Sequence, residues 1–277
     1  NIEDIEVPHI RHDFRETSDD KGDWDRLMNA ISDGIGRGEM TKVVASREVQ
    51  FTSDTPFNVA SILDNLVENN PNCFIFGYEK DGRTFVGASP EILVRHRGSE
   101  ILSYALAGTA PKDGPNAWTK EHLLSDKKNL FEHNIVRDRI VNTMKQITPD
   151  VTVGETGIME LAHLYHLRTI ITAKDSTKSL VEWAKLLHPT PALGGEPREK
   201  AMALLETYEA HERGMYSAPF GFMKDMGDGI VVVAIRSALI MDNILYAYAG
   251  CGVVTDSDAD EEYIETNNKM RTILDAL

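Results

Sequence analysis

In TKVVASR, Thr41 to Arg47, a single lysine stands ahead of a short apolar run that closes with Ser-Arg. Lys42 there is either a solvated gatekeeper at a strand edge or an amine with chemical work to do. Further along, in TKEHLLSDKKNLFEHNIVRDRIVNTM, helical spacing places Glu132 within the arc of Phe131, Ile135, Val136 and Ile140. Such a carboxylate faces the interior or a cleft, where it pairs with Arg139 or Lys128 or binds a metal or substrate. In the final helix Glu262, Glu265 and Lys269 fall at i, i+3 and i+7 and share one face. They form a surface ladder of charges or the rim of a cleft, since Tyr263, Ile264, Met270, Ile273 and Leu274 already supply a buried side. Two glutamates from separate helices suit Mg²⁺, which takes oxygen ligands, keeps several waters and is often held by one or two carboxylates plus an anionic substrate. Arg236 lies inside Val231–Ile240, a run that reads as a buried strand. An unpaired guanidinium there costs several kcal/mol, so it forms an internal ion pair or serves as a fork for a ligand carboxylate. Gly250 and Gly252 in AGCG, and Gly108 in LAGT, mark either bulges or places where backbone approaches a ligand closely.

The elements that must position these residues follow from periodicity. Helices are predicted over Trp24–Gly36, Phe57–Glu68, Thr119–Ile147, Leu180–Leu187, Arg198–His211 and Asp258–Leu277. Strands are predicted over VVASREVQF, on both sides of Asp81-Gly82, over ILSYALAGTA and around Leu161–Ala173. The run GIVVVAIRSALIM, the Asp242-Asn243 turn and ILYAYAGCGVV read as one hairpin. A Pro/Gly-rich loop, HPTPALGGEP, separates two of the helices. Strands in hairpins with helices between them predict an α+β fold of large, mostly antiparallel sheets layered with helices.

Composition narrows the partners. The chain has 277 residues, enough for one large domain or two closely joined ones. Its net charge of −15 argues against nucleic acid and anionic membranes, which both select a basic surface. An anionic ligand must therefore find a local cationic pocket or a bound metal. The longest apolar run is interrupted by Arg236 and no stretch has the length of a membrane span. The two cysteines, Cys73 and Cys251, lie far apart and form no framework, which fits a reducing, cytoplasmic location. The N-terminus is acidic, carries no basic or long apolar segment, and does not begin with Met.

Together TKVVASR, GASPEIL, LAGTAPK, SDKKNLFEHNIV, HLYHL, LLHPTPALGGEP, VVAIRSAL, YAGCGVV and EEYIETNNK resemble the chorismate-utilising enzyme family, over nearly the whole chain from about Met40 onward. Within it the likeness is to isochorismate synthases, of the menaquinone-pathway type more than the siderophore type. It rests on lysine at the head of KVVASR, on LLHPTPALGG, and on HERGMYSAPFG. The resemblance implies a single chorismate-binding catalytic domain, residues 1–277, that lacks an N-terminal portion found in family members. It implies chorismate as substrate, one Mg²⁺, and a monomer or weak homo-oligomer. Lys42 is then the general base and Glu91, in SPEIL, the general acid. That use needs the lysine neutral and the glutamic acid protonated before reaction, and burial favours both neutral forms. The metal falls to Glu132 and Glu265, with Glu262 close by. Arg236 and Lys269 match partners of the enolpyruvyl carboxylate, assisted by backbone at Gly250 and Gly252. Gly108, His163, Ala192 and Tyr216 match positions lining the substrate. The sequence departs from the family at SDKKNLFEH, where an Asp-Arg pair more often precedes Glu-His, and at Tyr263, where tryptophan is common. Alternatives are a salicylate synthase of the same family and a noncatalytic module that binds chorismate or Mg²⁺.

Overall fold

The computed structural model describes residues 7–18 and 20–277. Short β1 (Phe14–Glu16) leads to α1 (Lys21–Gly36), long β2 (Lys42–Ser53), α2 (Val59–Asn69) and the hairpin β3 (Phe74–Lys80)–β4 (Arg83–Ser89). A second group follows: β5 (Ile92–Arg97), β6 (Glu100–Pro111), α3 (Lys120–Ser125), α4 (Lys127–Lys145), β7 (Val151–Val153), β8 (Gly157–Glu160), β9 (Leu164–Lys174) and α5 (Leu180–Leu187). The chain closes with β10 (Gly195–Glu196), α6 (Arg198–Tyr208), β11 (Pro219–Met223), β12 (Gly229–Val233), β13 (Ser237–Met241), β14 (Ile244–Val253) and α7 (Ala259–Leu274).

Two seven-stranded antiparallel sheets result, as the α+β reading expects. One runs β1-β2-β14-β13-β4-β3 with β10 paired to β2. The other runs β11-β12-β5-β6-β9-β7 with β8 paired to β9. Each sheet buries one face under helices. In the first, Val49, Val86, Ala238 and Leu245 pack with Ile62 and Leu66 of α2 and Met270 and Ile273 of α7. In the second, Val94, Ile101 and Ile171 pack with Val136, Ile140 and Met144 of α4 and Trp183 of α5. A third cluster seats Trp24, Leu27 and Ile31 of α1 and Leu205 of α6 on Val43 and Ala45.

The chain crosses between the sheets at two points that decide the site. β4 belongs to the first sheet and β5 to the second, and Ser89-Pro90-Glu91 join them. The predicted single strand over 229–241 is instead two strands in different sheets, β12 and β13, joined at Ala234–Arg236. Arg236 has φ 53°, a conformation that ends any strand at a non-glycine residue. The two crossings lie side by side: Ala88 N donates to Arg236 O at 3.0 Å. Only β13–β14 form the hairpin predicted over the Asp242-Asn243 turn, where Asp242 takes φ 59°. The predicted helix 119–147 is also two, because Asp126 is extended (ψ 123°) and caps α4 by accepting from Asn129 N at 2.8 Å. The helix predicted to His211 stops at Tyr208, and β11, not anticipated, pairs along all of β12.

Candidate active site

Between the two sheets lies a cleft lined from β2, β6, β9, β14, α4, α7 and both crossings. Lys42, at the head of β2, is fully buried and its Nζ lies 2.9 Å from Glu132 Oε1 on α4. The pair meets only because residue 252 on β14 is glycine. A Cβ there would stand 2.0 Å from Glu132 Oε1 and 2.7 Å from Lys42 Cε. At Gly250 a Cβ would lie 2.8 Å from both the Tyr216 hydroxyl and Ala45 O. The two glycines are therefore positions where the cleft wall has no room for a side chain, the crowding coming from Glu132, Lys42, Tyr216 and Ala45.

Glu91 enters from the first crossing. Ser89 Oγ accepts from Glu91 N at 3.2 Å, and Glu91 O accepts from Val233 N at 3.1 Å. Its backbone is thus held while its Oε1 has no hydrogen-bond partner among the described residues. Burial pushes the carboxyl up to about 7, against the pull of Lys42, Arg236 and Lys269. A buried carboxyl of this kind holds its proton into the neutral range and can donate it.

Arg236 enters from the second crossing. Its Nη2 donates to His166 Nε2 at 2.7 Å, whereas Nε is buried without a partner among the described residues. His166 consequently accepts at Nε2 and carries its proton on Nδ1, 3.1 Å from Thr109 Oγ1. Burial and the adjacent Arg236 hold its pKa well below the ordinary histidine value, so the ring is neutral. A guanidinium on the wall of a cleft is suited to bind an anionic ligand there. Lys269 of α7 stands nearby, donating to Gly250 O at 2.9 Å and paired with Glu265 at 2.5 Å.

Gly108 sits at a bulge in β6, between Leu106 and Thr109, with φ +81°. It shapes the wall more than it lines it: a Cβ would press on Asn129 O at 3.0 Å, while its neighbours Ala107 and Thr109 face the cleft. The bulge receives the first turns of α4. Asn129 Oδ1 accepts from Thr109 N, and His133, neutral because burial pulls it down to about 4, bridges Ala107 O and Thr169 Oγ1. These contacts aim Glu132 into the cleft. Ala192 and Tyr216 also line it.

His163 does not belong to this cleft. It occupies the turn before β9 and bridges Asp113 (2.8 Å) and Asp275 (2.6 Å) in a separate surface hollow. The histidine at the site is His166, three residues on, whose interior position in LYHLRTIIT was the available signal. Arg213 was likewise passed over inside HERGMYS. It lines the cleft, forks onto Glu209, and donates to Leu193 O and Val44 O, tying the Pro/Gly loop to β2.

Glu132 also lines a second hollow, shared with Glu262, Glu265, Lys128 and Asn129. Glu262 is buried and paired with Lys128 at 2.7 Å. Burial, with the charges of Glu265 and Glu132 adding to it, raises Glu262 to about 7. Among the described residues no three His, Cys, Asp or Glu side chains are placed to coordinate one ion together. The donor set nonetheless fits Mg²⁺ chemically: hard carboxylate oxygens from two helices around one hollow, with room for waters and a ligand carboxylate. Each carboxylate lies against a lysine nitrogen, Glu132 against Lys42, Glu262 against Lys128 and Glu265 against Lys269.

The family model described as chorismate binding enzyme matches residues 4–277. This chain belongs to that family. It is 36% identical over 264 residues to isochorismate synthase MenF of Bacillus subtilis, covering 93% of this chain and 56% of that protein. The structure of MenF, the menaquinone-specific isochorismate synthase of Escherichia coli, superposes with a TM-score of 0.86 at 29% identity, covering 99% of this chain and 65% of that one. Anthranilate synthase component I of Streptococcus pneumoniae superposes at 0.82 with 26% identity, covering 97% and 61%. The chain thus spans about half to two thirds of the length of these chorismate binding enzymes. Among its described residues, no helix is long and apolar enough to cross a membrane.

Proposed function

We infer that this chain is an isochorismate synthase, converting chorismate to isochorismate by adding water at ring carbon 2 and expelling the carbon-4 hydroxyl. The observation that carries the reading is the meeting, in one cleft, of the Lys42 amine with a buried Glu91 carboxyl that keeps its proton near neutrality. Lys42 Nζ, acting as the uncharged amine, takes a proton from the attacking water as its oxygen bonds to carbon 2, and becomes the ammonium beside Glu132. The double bonds shift, the carbon–oxygen bond at carbon 4 breaks, and Glu91 supplies the proton with which the hydroxyl leaves as water. Arg236 and Lys269, both on the cleft wall, bind the enolpyruvyl carboxylate.

Glu132 and Glu265, with Glu262 beside them, would hold Mg²⁺. When bound, the ion supplies positive charge for the ring carboxylate of a substrate that a net charge of −15 repels. The menaquinone-pathway assignment and a cytoplasmic location, as a monomer or weak homo-oligomer, belong to the same reading. It is supported by the likeness to the MenF proteins and by two unpaired cysteines.

Incubation of the purified chain with chorismate, with and without Mg²⁺, followed by chromatographic identification of products tests this. Isochorismate formed only with metal is expected, with Lys42→Ala and Glu91→Ala each lowering turnover by about 10²–10⁴-fold. Salicylate plus pyruvate would move the assignment to a salicylate synthase. Undiminished turnover by Lys42→Ala would remove the base.

A further inference from the structure

Of the three lysines paired with the candidate metal ligands, two are fixed inside the cleft. Lys42 is fully buried, and Lys269, also buried, donates to Gly250 O as well as to Glu265. Lys128 differs. It sits in the first turn of α4, its side chain is 28% exposed, and its recorded side-chain partner is Glu262. Its ammonium feels Glu262 most strongly, then Glu265, then Glu132. All three carboxylates line one hollow with it. A single monovalent cation on a flexible four-carbon stem therefore faces the whole set of oxygens assigned to a divalent ion.

We propose that Lys128 is a built-in counter-ion that holds the acidic hollow together until metal arrives and swings outward when metal enters, so that it competes with the ion for Glu262. The argument is electrostatic and geometric. Three carboxylates near one another, one of them buried, repel and need a compensating charge in the metal-free protein. Lys128 supplies it at 2.7 Å. A divalent ion at the same oxygens leaves the ammonium facing a cation, and its exposed stem gives it an exit to water. Lys128 is thus a positioning residue that sets metal affinity without being a ligand. The inference rests on the assignment of these glutamates to the metal, and not on which product the enzyme makes.

The test is a Mn²⁺ titration of metal-free protein without chorismate, following free Mn²⁺ by its electron paramagnetic resonance signal. Wild type, Lys128→Met and Lys128→Gln are compared, then the same lysine changes in a Glu262→Gln background. Methionine keeps the length of the stem and removes the charge. Both lysine variants are expected to bind Mn²⁺ on the order of tenfold more tightly, and the gain is expected to vanish without Glu262. A lysine of purely structural value would lower the melting temperature without tightening Mn²⁺. Unchanged or weaker binding in both variants overturns the proposal, as does a gain that persists in Glu262→Gln. Absence of Mn²⁺ binding in every protein overturns both the proposal and the metal assignment. Tighter binding by a chain that turns over no chorismate would leave the proposal standing and refute the activity alone.

Discussion

Ionising a buried carboxyl is costly when an oxygen goes without a hydrogen bond, and Glu91 Oε1 has no partner among the described residues. Its pKa moves from the ordinary 4.5 up to about 7, so between those values the folded chain binds a proton that the unfolded chain releases. The stabilisation from that proton is complete below about 4.5, declines as pH rises through the window, and is gone above about 7. A glutamine does not titrate. Glu91→Gln is therefore expected to melt higher than wild type at pH 8, by on the order of 3 kcal/mol at most, and no higher at pH 4. Melting curves at the two pH values decide it, and a variant no more stable than wild type at pH 8 would refute the strained-carboxyl account. Wild-type turnover should fall above about pH 7 as the donor loses its proton. None of this was visible in the residues around Glu91, which by themselves read as a turn or strand start. Only the resemblance singled it out, because burial arises from a sheet crossing distant in sequence from Lys42. His163 shows the converse error. In HLYHL both histidines carry the same chemistry, and only the start of β9 at Leu164 decides that His166 points inward.

Among the elements, β14 carries the sharpest constraint. It pairs with β2 over its whole length, so any side chain it points at the cleft competes with Lys42 and its partner. Gly252→Ala would bring a methyl group within 2.0 Å of Glu132 Oε1. That oxygen belongs to a side chain able to rotate, so the fold is expected to survive while the Lys42–Glu132 pair separates. Turnover should fall by about 10² or more with little change in melting temperature, since small misplacements at a reacting centre are expensive. A fully active Gly252→Ala protein would show that the reserved space is irrelevant. Hairpins were the most legible elements: Asp81-Gly82 and Asp242-Asn243 both turn where their residues, at φ 54° and 59° for the aspartates, permit it. Helix α4 was half legible. Apolar spacing continues smoothly across 119–147, and what interrupts it is the competing preference of Asp126 for a cap, which periodicity does not register. The run 229–241 misled for a related reason. Both halves are apolar strands, and nothing in their composition says they serve different sheets; the isolated Arg236 was the one residue that marked the break.

At the scale of the whole molecule, charge governs how substrate arrives. The protein carries −15 overall, and the cations lining the cleft are few, several of them already paired with carboxylates. On the proposed reading, a dianion such as chorismate is repelled at long range by the net charge and attracted only once inside. Salt acts differently on the two. Between 0.01 M and 0.15 M ionic strength the screening length falls from about 30 Å to about 8 Å, which quenches the distant repulsion and leaves contacts of about 3 Å in a buried cleft nearly untouched. With Mg²⁺ held saturating, kcat/KM for chorismate is expected to rise by up to about tenfold over that range while kcat stays constant. The opposite slope would mean that the cleft's cations project an attractive field beyond the protein surface. In that case Lys128, at the mouth of the acidic hollow, and Lys269 would be acting as a funnel for substrate as well as counter-ions. Steady-state kinetics at four or more salt concentrations, with the lysine-128 variants run in parallel, separate these two pictures: neutralising Lys128 should steepen the rise if distant repulsion dominates and abolish the fall if a funnel does.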